Sequence, residues 1–376
     1  MLYPTNRCNL RCAICWQRWV TPDFEHEVPD ARLLDLVDEA AALGVRTWTL
    51  CGGGEPMVRA DLVMNLCERI CDRGMNGALQ TNATLFSKDH LEHLIRMGWS
   101  RIVVSLDGPT REVNDAIRSP GSFDKATASL RTLGESKRRQ GSELPHVSLH
   151  TVPTSMNYDR LDQMVDLAHD FGCDTVGVSS LAVGGKTCEP FRLRAEHRAD
   201  LSAHVHRAMS RAQALGIEEN FATVLPGAAH RPPQRHPQSQ EAPRPGTVDL
   251  AEAACFEPWH AVTILADGKV GPCCVFWDEA ADSIENHSLR EVWTGPYLER
   301  VRAQILLGDL PSYCVHCPSI LRVQTDSFRE RLRWRQMSGL GRVGLVARKA
   351  IASVRRYGVW RALRRGVTWW RLDTPQ

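Results

Sequence analysis

Three cysteines near the start of the chain constrain its fold more than any other feature. Cys8, Cys12 and Cys15 follow a C-x3-C-x2-C spacing within the stretch Thr-Asn-Arg-Cys-Asn-Leu-Arg-Cys-Ala-Ile-Cys-Trp of residues 5–16. A loop this short can aim three thiolates at one point, and three thiolates can hold a [4Fe-4S] cluster whose fourth iron has no protein ligand. The open iron is where a small molecule could bind and receive an electron. The alternatives are reduced structural thiols and a zinc site, although structural zinc commonly takes four ligands from paired C-x2-C knuckles.

Strands alternate with helices along the first 220 residues. An apolar lead-in at 1–4 ends a first strand, and further strands are predicted at 47–50, 77–80, 101–106, 146–152 and 174–180. Helices are predicted at 30–43, 61–73, 88–97, 110–116, 122–139, 159–171 and 191–215. This alternation indicates βαβ units and a parallel sheet. Polar residues fall just after several strands, which in a β/α barrel is the face that carries chemistry.

A second group of cysteines lies towards the other end of the chain. Its members are Cys255, Cys273, Cys274, Cys314 and Cys317. A β-hairpin predicted over 261–272 turns at Asp267-Gly268 and would bring the cysteines at its two ends together. The C-x2-C pair after a helix predicted over 288–306 can then close a four-thiolate site, which either zinc or an iron–sulfur cluster would accept.

The number of cysteines and the absence of long apolar runs limit the cellular compartments in which the protein is expected. The 376 residues include 13 cysteines, an odd number gathered in clusters. Such clusters indicate metal sites in a reducing, cytoplasmic environment rather than disulfides. No uninterrupted apolar run is long enough for a transmembrane helix, and the N-terminus has no secretory signal pattern.

Two stretches differ from the rest in composition. Residues 221–254 are rich in proline and indicate a linker or an irregular loop. Residues 328–376 are basic and contain several tryptophans, which predicts a helical tail. The tail could pack on the acidic body of the same chain, or lie on an anionic membrane surface at the inner membrane face. Nucleic acid is the less favoured partner.

Taken together, the motifs resemble those of radical S-adenosylmethionine (SAM) enzymes of the SPASM/twitch type. The first loop is similar to the family signature, with Ile14 at a position that is usually aromatic. The C-x12-G-x4-C…C-x2-C pattern resembles the auxiliary-cluster domain, and no cysteine follows Cys317, which makes the chain twitch-like. The implied α/β architecture is a partial (βα)6 TIM barrel at 1–220 and a small twitch-like β-hairpin/helix domain at 255–327. The linker at 221–254 separates them, and the basic helical tail follows.

The resemblance also implies a set of site residues. Two [4Fe-4S] clusters are expected: one held by Cys8, Cys12 and Cys15, which binds SAM, and an auxiliary one held by Cys255, Cys273, Cys314 and Cys317. Cys274 competes with Cys273 as a ligand. Gly53, Gly54 and Glu55 resemble the element that binds the SAM amino group. Asn82 follows Thr81, with Ala83 where glycine is usual. Ser105 and Asp107 resemble the element beside SAM, and Arg118 an arginine that pairs with the SAM carboxylate.

The fate of the substrate radical separates two reactions. In the first, a sugar, aminocyclitol or similar small polyol undergoes two-electron oxidation with the auxiliary cluster as electron acceptor, as expected of a radical SAM oxidoreductase. In the second, the enzyme is an epimerase in which a thiol such as Cys188 returns a hydrogen atom. A peptide-modifying enzyme, and a non-catalytic iron–sulfur or zinc scaffold or membrane-surface protein, are further alternatives. A reductant such as flavodoxin or ferredoxin is the expected partner, and a membrane-facing tail would suit a lipid-linked sugar substrate.

Overall fold

A computed structural model describes residues 1–18, 23–182, 186–225, 253–276, 278–317 and Arg329. Its largest unit is a parallel sheet whose six strands are neighbours in chain order. The strands are β1 (Thr47–Leu50), β2 (Asn76–Thr81), β3 (Arg101–Ser105), β4 (His146–Thr151), β5 (Thr175–Val178) and β6 (Glu218–Glu219). Parallel neighbours need a crossover connection, usually a helix. The predicted α/β fold with a parallel sheet is confirmed.

The helices that connect these strands begin and end within a few residues of the predicted positions. They are α1 (Asp30–Ala42), α2 (Ala60–Asp72), α3 (Lys88–Arg96), α4 (Arg111–Ile117), α5 (Ser122–Gln140), α6 (Leu161–Asp170) and α7 (Ala195–Leu215). Their apolar faces, which include Leu36 and Leu66, share one core with strand residues such as Leu79 and Leu149. Helical spacing of apolar residues therefore placed these elements correctly.

The first and last strands of the barrel differ from the prediction. Residues 1–4 contribute only isolated bridges, in which Leu2 pairs with both Leu50 and Ile264. The strand that completes the sheet is β6, which pairs with β5. β6 is only two residues long, so it has no alternation of polar and apolar residues by which a sequence could reveal it.

The two faces of the sheet differ in polarity because successive strand residues point to opposite sides. One face is apolar and packs under the helices, with Ile102, Leu149 and Val176 fully buried. The opposite, inner face carries Gln80 and His150, which are partly exposed. The outer face of the sheet is thus shielded from water by the helices, and the inner face is polar.

The C-terminal unit is built on the predicted hairpin. Strands β7 (Thr263–Ile264) and β8 (Val270–Gly271) pair antiparallel, and Gly268 takes a φ of +85° in the turn between them. This left-handed conformation favours glycine. The predicted helix over 288–306 is instead two helices, α8 (Leu289–Trp293) and α9 (Pro296–Leu307). Proline lacks a backbone N–H, so it suits the first turn of α9 but would break a continuous helix.

Helix α1 and the N-terminal segment fix this C-terminal unit against the barrel. Tyr3 N donates to Ile264 O at 2.9 Å. Arg32 donates from Nε to Ile284 O at 2.8 Å and from Nη2 to His287 O at 3.0 Å. The unit therefore lies beside β1, the strand that precedes the predicted Gly53-Gly54-Glu55 element.

Several predictions fall wholly or partly outside the described residues. These include most of the linker, at 226–252, and the basic tail at 328–376 apart from Arg329. Phe221 is fully buried in the barrel core, so the packed part of the barrel continues at least to that residue. Among the described helices, none is both long enough and apolar enough to span a bilayer.

Candidate functional site

The three-cysteine loop is held by the turn that follows β1. Gly54 N donates to Thr5 O and Glu55 N donates to Arg7 O, each at 2.9 Å. A methyl group on Gly54 would lie 1.9 Å from Arg7 O, which is far inside van der Waals contact. Glycine is thus required here by the close approach of two backbones.

Turns that follow β2 and α4 hold the same loop from other sides. Asn82 Nδ2 donates to Asn9 Oδ1 at 2.9 Å, which ties the loop to the end of β2. Arg11 N donates to Ser119 Oγ at 2.9 Å, and Ala13 N donates to Ile117 O at 2.8 Å. The loop that carries the thiols is therefore in hydrogen-bond contact with three elements that the sequence predicted to surround SAM.

Glu55 is buried in a network of neutral donors. Its side chain is 3% exposed, and Oε1 accepts from Thr81 Oγ1 at 2.5 Å and from Met57 N at 3.1 Å. Oε2 accepts from Asn82 N at 2.7 Å. Burial raises the pKa of Glu55, and these hydrogen bonds oppose that shift. A carboxylate held this way can pair with an ammonium group with no change of rotamer.

Asp107 and Arg118 form a buried ion pair beside the loop. Arg118 Nε lies 2.8 Å from Asp107 Oδ2, and Asp107 is fully buried. Asp107 Oδ1 accepts from Val152 N at 2.8 Å. Burial opposes the charge on Arg118, but the neighbouring Asp107 carboxylate raises the pKa of Arg118 overall. The arginine therefore stays cationic beside the thiols.

The chemistry of the thiols suits a cluster with one open iron. Burial raises the pKa of Cys12 to about 11, and the Arg118 guanidinium opposes this shift. Burial also raises the pKa values of Cys8 and Cys15, and Arg118 again acts against it. Metal binding requires thiolates, which a nearby cation stabilises. Within the described ranges, no three His, Cys, Asp or Glu side chains converge as they would around one metal ion. A cubane cluster, by contrast, distributes its thiolates over different irons.

The second cysteine group is brought together by the C-terminal unit. Burial raises the pKa of Cys255 to about 12, with further contributions from Cys317 and Cys314. Cys273 interacts electrostatically with Cys255 and Cys314, whereas Cys274 interacts with Cys317. Five thiols thus lie near one another where four were predicted to bind a cluster, and Cys273 and Cys274 both remain candidate ligands.

His150 is a polar residue of the inner face that sequence reasoning missed. It lies on β4 opposite Ser105 of β3 in the sheet register, and its Nε2 is 3.1 Å from Ser179 Oγ. Burial lowers the pKa of His150; the nearby Asp107 carboxylate opposes this shift, and Arg118 adds to it. Burial therefore favours the neutral imidazole over the imidazolium. His150 falls within the strand predicted at 146–152, but its position beside Ser105 is visible only in the sheet register.

Cys188 lies in a 3₁₀ helix, Lys186–Phe191, and packs behind the three-cysteine loop. Its side chain is fully buried, and Sγ is 3.8 Å from Ala13 O. Cys188 also interacts electrostatically with Cys15. The thiol is thus next to the predicted cluster loop, as a donor close to the chemistry would need to be.

A cavity of about 760 Å³ opens near the opposite end of β1 from Glu55. Arg46 and Thr47 border it on the barrel side, and Trp259 and Trp293 border it on the C-terminal unit. Its lining also includes Cys273 and Cys274. The cavity therefore gives access to the second cysteine group.

Both cysteine-containing regions of the chain match known protein families. Residues 2–168 match the radical SAM superfamily, and residues 255–318 match an iron–sulfur cluster-binding domain, SPASM. The first match ends within α6 and includes Cys8, Glu55 and Arg118. The second spans all five cysteines of the C-terminal group.

Individual proteins resemble the chain over different lengths. The AdoMet-dependent heme synthase of Methanosarcina barkeri is 25% identical over 87% of this chain and 92% of its own. The mycofactocin maturase MftC of Mycolicibacterium smegmatis is 29% identical, and the match covers 48% of this chain and 44% of its own. The chain spans less than half the length of the first curated relatives it matches.

A solved structure shares the fold. Streptococcus suis SuiB bound to S-adenosylmethionine superposes with a TM-score of 0.61 at 18% identity. The superposition covers 79% of this chain and 65% of that one.

Proposed function

Because the chain belongs to the radical SAM superfamily and carries a SPASM-type domain, we propose that it oxidises a small hydroxylated substrate by two electrons. A [4Fe-4S] cluster, an auxiliary cluster and SAM are the cofactors of this domain pair. When bound, they supply a radical that removes a hydrogen atom from a substrate C–H bond. The proposed substrate is a sugar, an aminocyclitol or a similar polyol.

We propose roles for the residues that border the first cysteine loop. Cys8, Cys12 and Cys15 would hold the cluster that binds SAM. Glu55 would pair with the SAM ammonium group and Arg118 with its carboxylate. Gly53, Gly54, Asn82, Ser105 and Asp107 would shape the remainder of this pocket. Cys255, Cys314, Cys317 and either Cys273 or Cys274 would hold the auxiliary cluster.

The polar inner face of the barrel is the observation that supports a hydroxylated substrate. Gln80, Ser105 and His150 lie on this face and are partly exposed, so each can exchange hydrogen bonds with a ligand. Loss of a proton must accompany oxidation of a carbinol radical to a carbonyl. Neutral His150, oriented by Ser179 at 3.1 Å, is the group we propose to accept that proton.

Epimerisation with Cys188 as hydrogen donor is the second candidate. Its support is the position of the buried thiol, with Sγ 3.8 Å from Ala13 O in the cluster loop. In this reaction the substrate radical recovers a hydrogen atom and needs no proton acceptor. Loss of Cys188 would therefore stop turnover, whereas loss of His150 would not.

A heme precursor is a further candidate substrate, because one relative is an AdoMet-dependent heme synthase. A peptide is the other alternative substrate. A flavodoxin or ferredoxin would act as reductant. A lipid-linked sugar, and contact with an anionic membrane, would depend on the basic tail, which lies outside the described residues. A non-catalytic scaffold would bind iron without releasing 5′-deoxyadenosine.

Deuterium transfer from labelled polyols into 5′-deoxyadenosine, followed by mass spectrometry, tests the proposal. We expect transfer together with a product two mass units lighter than unlabelled substrate. Transfer followed by recovery of an isomer with the mass of the unlabelled substrate would identify epimerisation instead. If none of the labelled polyols transfers deuterium, the proposed substrate class is contradicted.

Variants separate the two reactions further. In His150→Gln the amide can still meet Ser179 but cannot take a proton at neutral pH. We expect this variant to form 5′-deoxyadenosine and to release less oxidised product per molecule of it. Cys188→Ala is the matched comparison. Normal turnover in that variant would mean that the reaction does not use Cys188, the best candidate hydrogen donor for epimerisation.

A further inference from the structure

Residues 23–28, here called the strap, connect the first cysteine loop with the C-terminal hairpin. Asn6 Nδ2 donates to Asp23 O at 2.8 Å at one end of the strap. Val28 N donates to Ala266 O at 2.9 Å at the other. Between them, His26 Nε2 lies 3.0 Å from Glu285 Oε1. The strap therefore touches the units that carry both cysteine groups.

Glu27 is the one strap residue whose side chain is directed into the loop. Its carboxylate is 6% exposed. Oε1 accepts from Thr5 Oγ1 at 2.5 Å and from Asn6 N at 3.0 Å. A buried carboxylate that accepts from a backbone N–H fixes that part of the chain more tightly than a neutral acceptor would.

Thr5 extends this contact to Glu55. Its hydroxyl donates to Glu27 and accepts from Arg7 N at 3.0 Å. Arg7 O then accepts from Glu55 N at 2.9 Å. A continuous hydrogen-bonded chain thus runs from Glu27, along the backbone that leads into Cys8, to the residue proposed to bind the SAM ammonium group.

Two arginines balance the charge on Glu27. Arg7 Nη2 lies 3.4 Å and Arg59 Nη1 lies 3.7 Å from Glu27 Oε2. Arg59 Nη1 also donates to Pro4 O at 2.6 Å, just before the loop. The carboxylate is therefore paired, so its burial is compatible with a stable fold.

We propose that Glu27 is a positioning residue for the SAM site. It fixes residues 5–7, from which both Cys8 and the backbone contact to Glu55 depart. It acts through Thr5 and the backbone, since its hydrogen bonds go to Thr5 and Asn6 and its ion pairs to Arg7 and Arg59. This role is independent of which substrate the enzyme oxidises, and it concerns the geometry of the site rather than the reaction outcome.

Titration of SAM into the anaerobically reconstituted and reduced full chain tests this role, with the electron paramagnetic resonance signal as readout. Only a cluster with an open iron can change its signal when SAM binds. We expect Glu27→Ala to bind SAM about tenfold more weakly, which corresponds to roughly 1.4 kcal/mol. Glu27→Gln keeps an oxygen acceptor for Thr5 and Asn6, so we expect it to recover most of that affinity. Thr5→Val removes the hydroxyl relay with little change in shape and should bind SAM as weakly as Glu27→Ala.

Glu285→Gln is the matched control, because it alters a strap contact on the surface and should leave SAM affinity unchanged. Wild-type affinity in Glu27→Ala would overturn the proposal. If that variant does not fold, wild-type affinity in Thr5→Val would overturn it equally. A lower melting temperature with unchanged SAM affinity would mean a structural role only. No substrate is needed, so these results stand apart from the test of polyol oxidation.

Discussion

At the scale of single residues, the buried carboxylates of Glu55 and Asp107 beside the first cysteine loop are stabilised in different ways. Glu55 accepts hydrogen bonds from three neutral donors, whereas Asp107 is paired with the cation Arg118. A carboxylate without a paired cation is the better partner for an incoming ammonium group. The two residues should therefore respond differently to pH and to substitution.

Glu55 should make SAM binding dependent on pH. Burial raises its pKa, so protonation begins at a higher pH than for an exposed glutamate. As the pH falls towards this raised pKa, the carboxylate loses its charge and SAM affinity should decrease. Measurement of the dissociation constant against pH tests this, with Glu55→Gln as the comparison. The variant should bind SAM weakly at every pH, and an identical pH dependence in both proteins would contradict the assignment.

Arg118 should matter for stability as well as for SAM. Arg118→Met leaves Asp107 charged and fully buried, which costs about 3–5 kcal/mol for a broken buried pair. Urea unfolding of the cluster-free chain measures the loss. The double variant Arg118→Met/Asp107→Asn removes the unpaired buried charge and should recover part of the lost stability. If Arg118→Met is as stable as the wild type, the ion pair contributes nothing to the free energy of unfolding.

The sequence predicts site residues that belong to recognisable motifs, but it carries no signal for the residues that we propose to act through tertiary contacts. The glycines at 53 and 54 and the cysteines of both groups were predicted because their type and spacing carry the chemistry. Glu27 and His150 have no such pattern. Their proposed roles depend on Thr5 and on Ser179, neighbours that only the folded chain supplies.

At the scale of elements, prediction succeeded where periodicity was long and failed where it was short. The helix predicted at 122–139 is observed as α5, Ser122–Gln140. By contrast, β6 is two residues long, and the predicted helix at 288–306 is divided before Pro296. Proline at 296 was visible in the sequence, and its preference for a first helical turn was the signal that was overlooked.

The turn between β1 and α2 gives a prediction at this scale. In Gly54→Ala the new methyl group would collide with Arg7 O, so the turn and the cysteine loop cannot both keep their positions. We expect the variant to lose most of the SAM-binding cluster and to retain the auxiliary one. Iron analysis and electron paramagnetic resonance measure both. Gly134→Ala, inside α5, is the control and should keep both clusters.

At the scale of the whole molecule, each cysteine group belongs to its own structural unit. The first lies on a loop held by barrel turns, and the second is gathered by the hairpin and the segment after α9. Loss of one cluster should therefore leave the other in place. A fully loaded chain is expected to hold about eight irons, four for each [4Fe-4S] cluster.

Removal of auxiliary ligands tests this separation. The double variant Cys314→Ala/Cys317→Ala should hold about four irons and still cleave SAM, because the first cluster is intact. Oxidised product should be lost, since the electron acceptor is absent. Cys67→Ala, which replaces a buried thiol in α2, is the control and should retain both clusters. A wild-type chain with only about four irons would contradict the two-cluster arrangement.

The bridge from Leu2 to both Leu50 and Ile264 also sets an order of events during synthesis. Leu2 can meet Leu50 early, but its second partner leaves the ribosome only after the whole barrel has been made. Until then, the backbone just ahead of the cysteine loop lacks one of its two neighbours. Contacts so distant in sequence form late, because a long loop must close first. The segment that leads into the first cysteine loop should thus gain its last backbone neighbour only after residue 264 has been made.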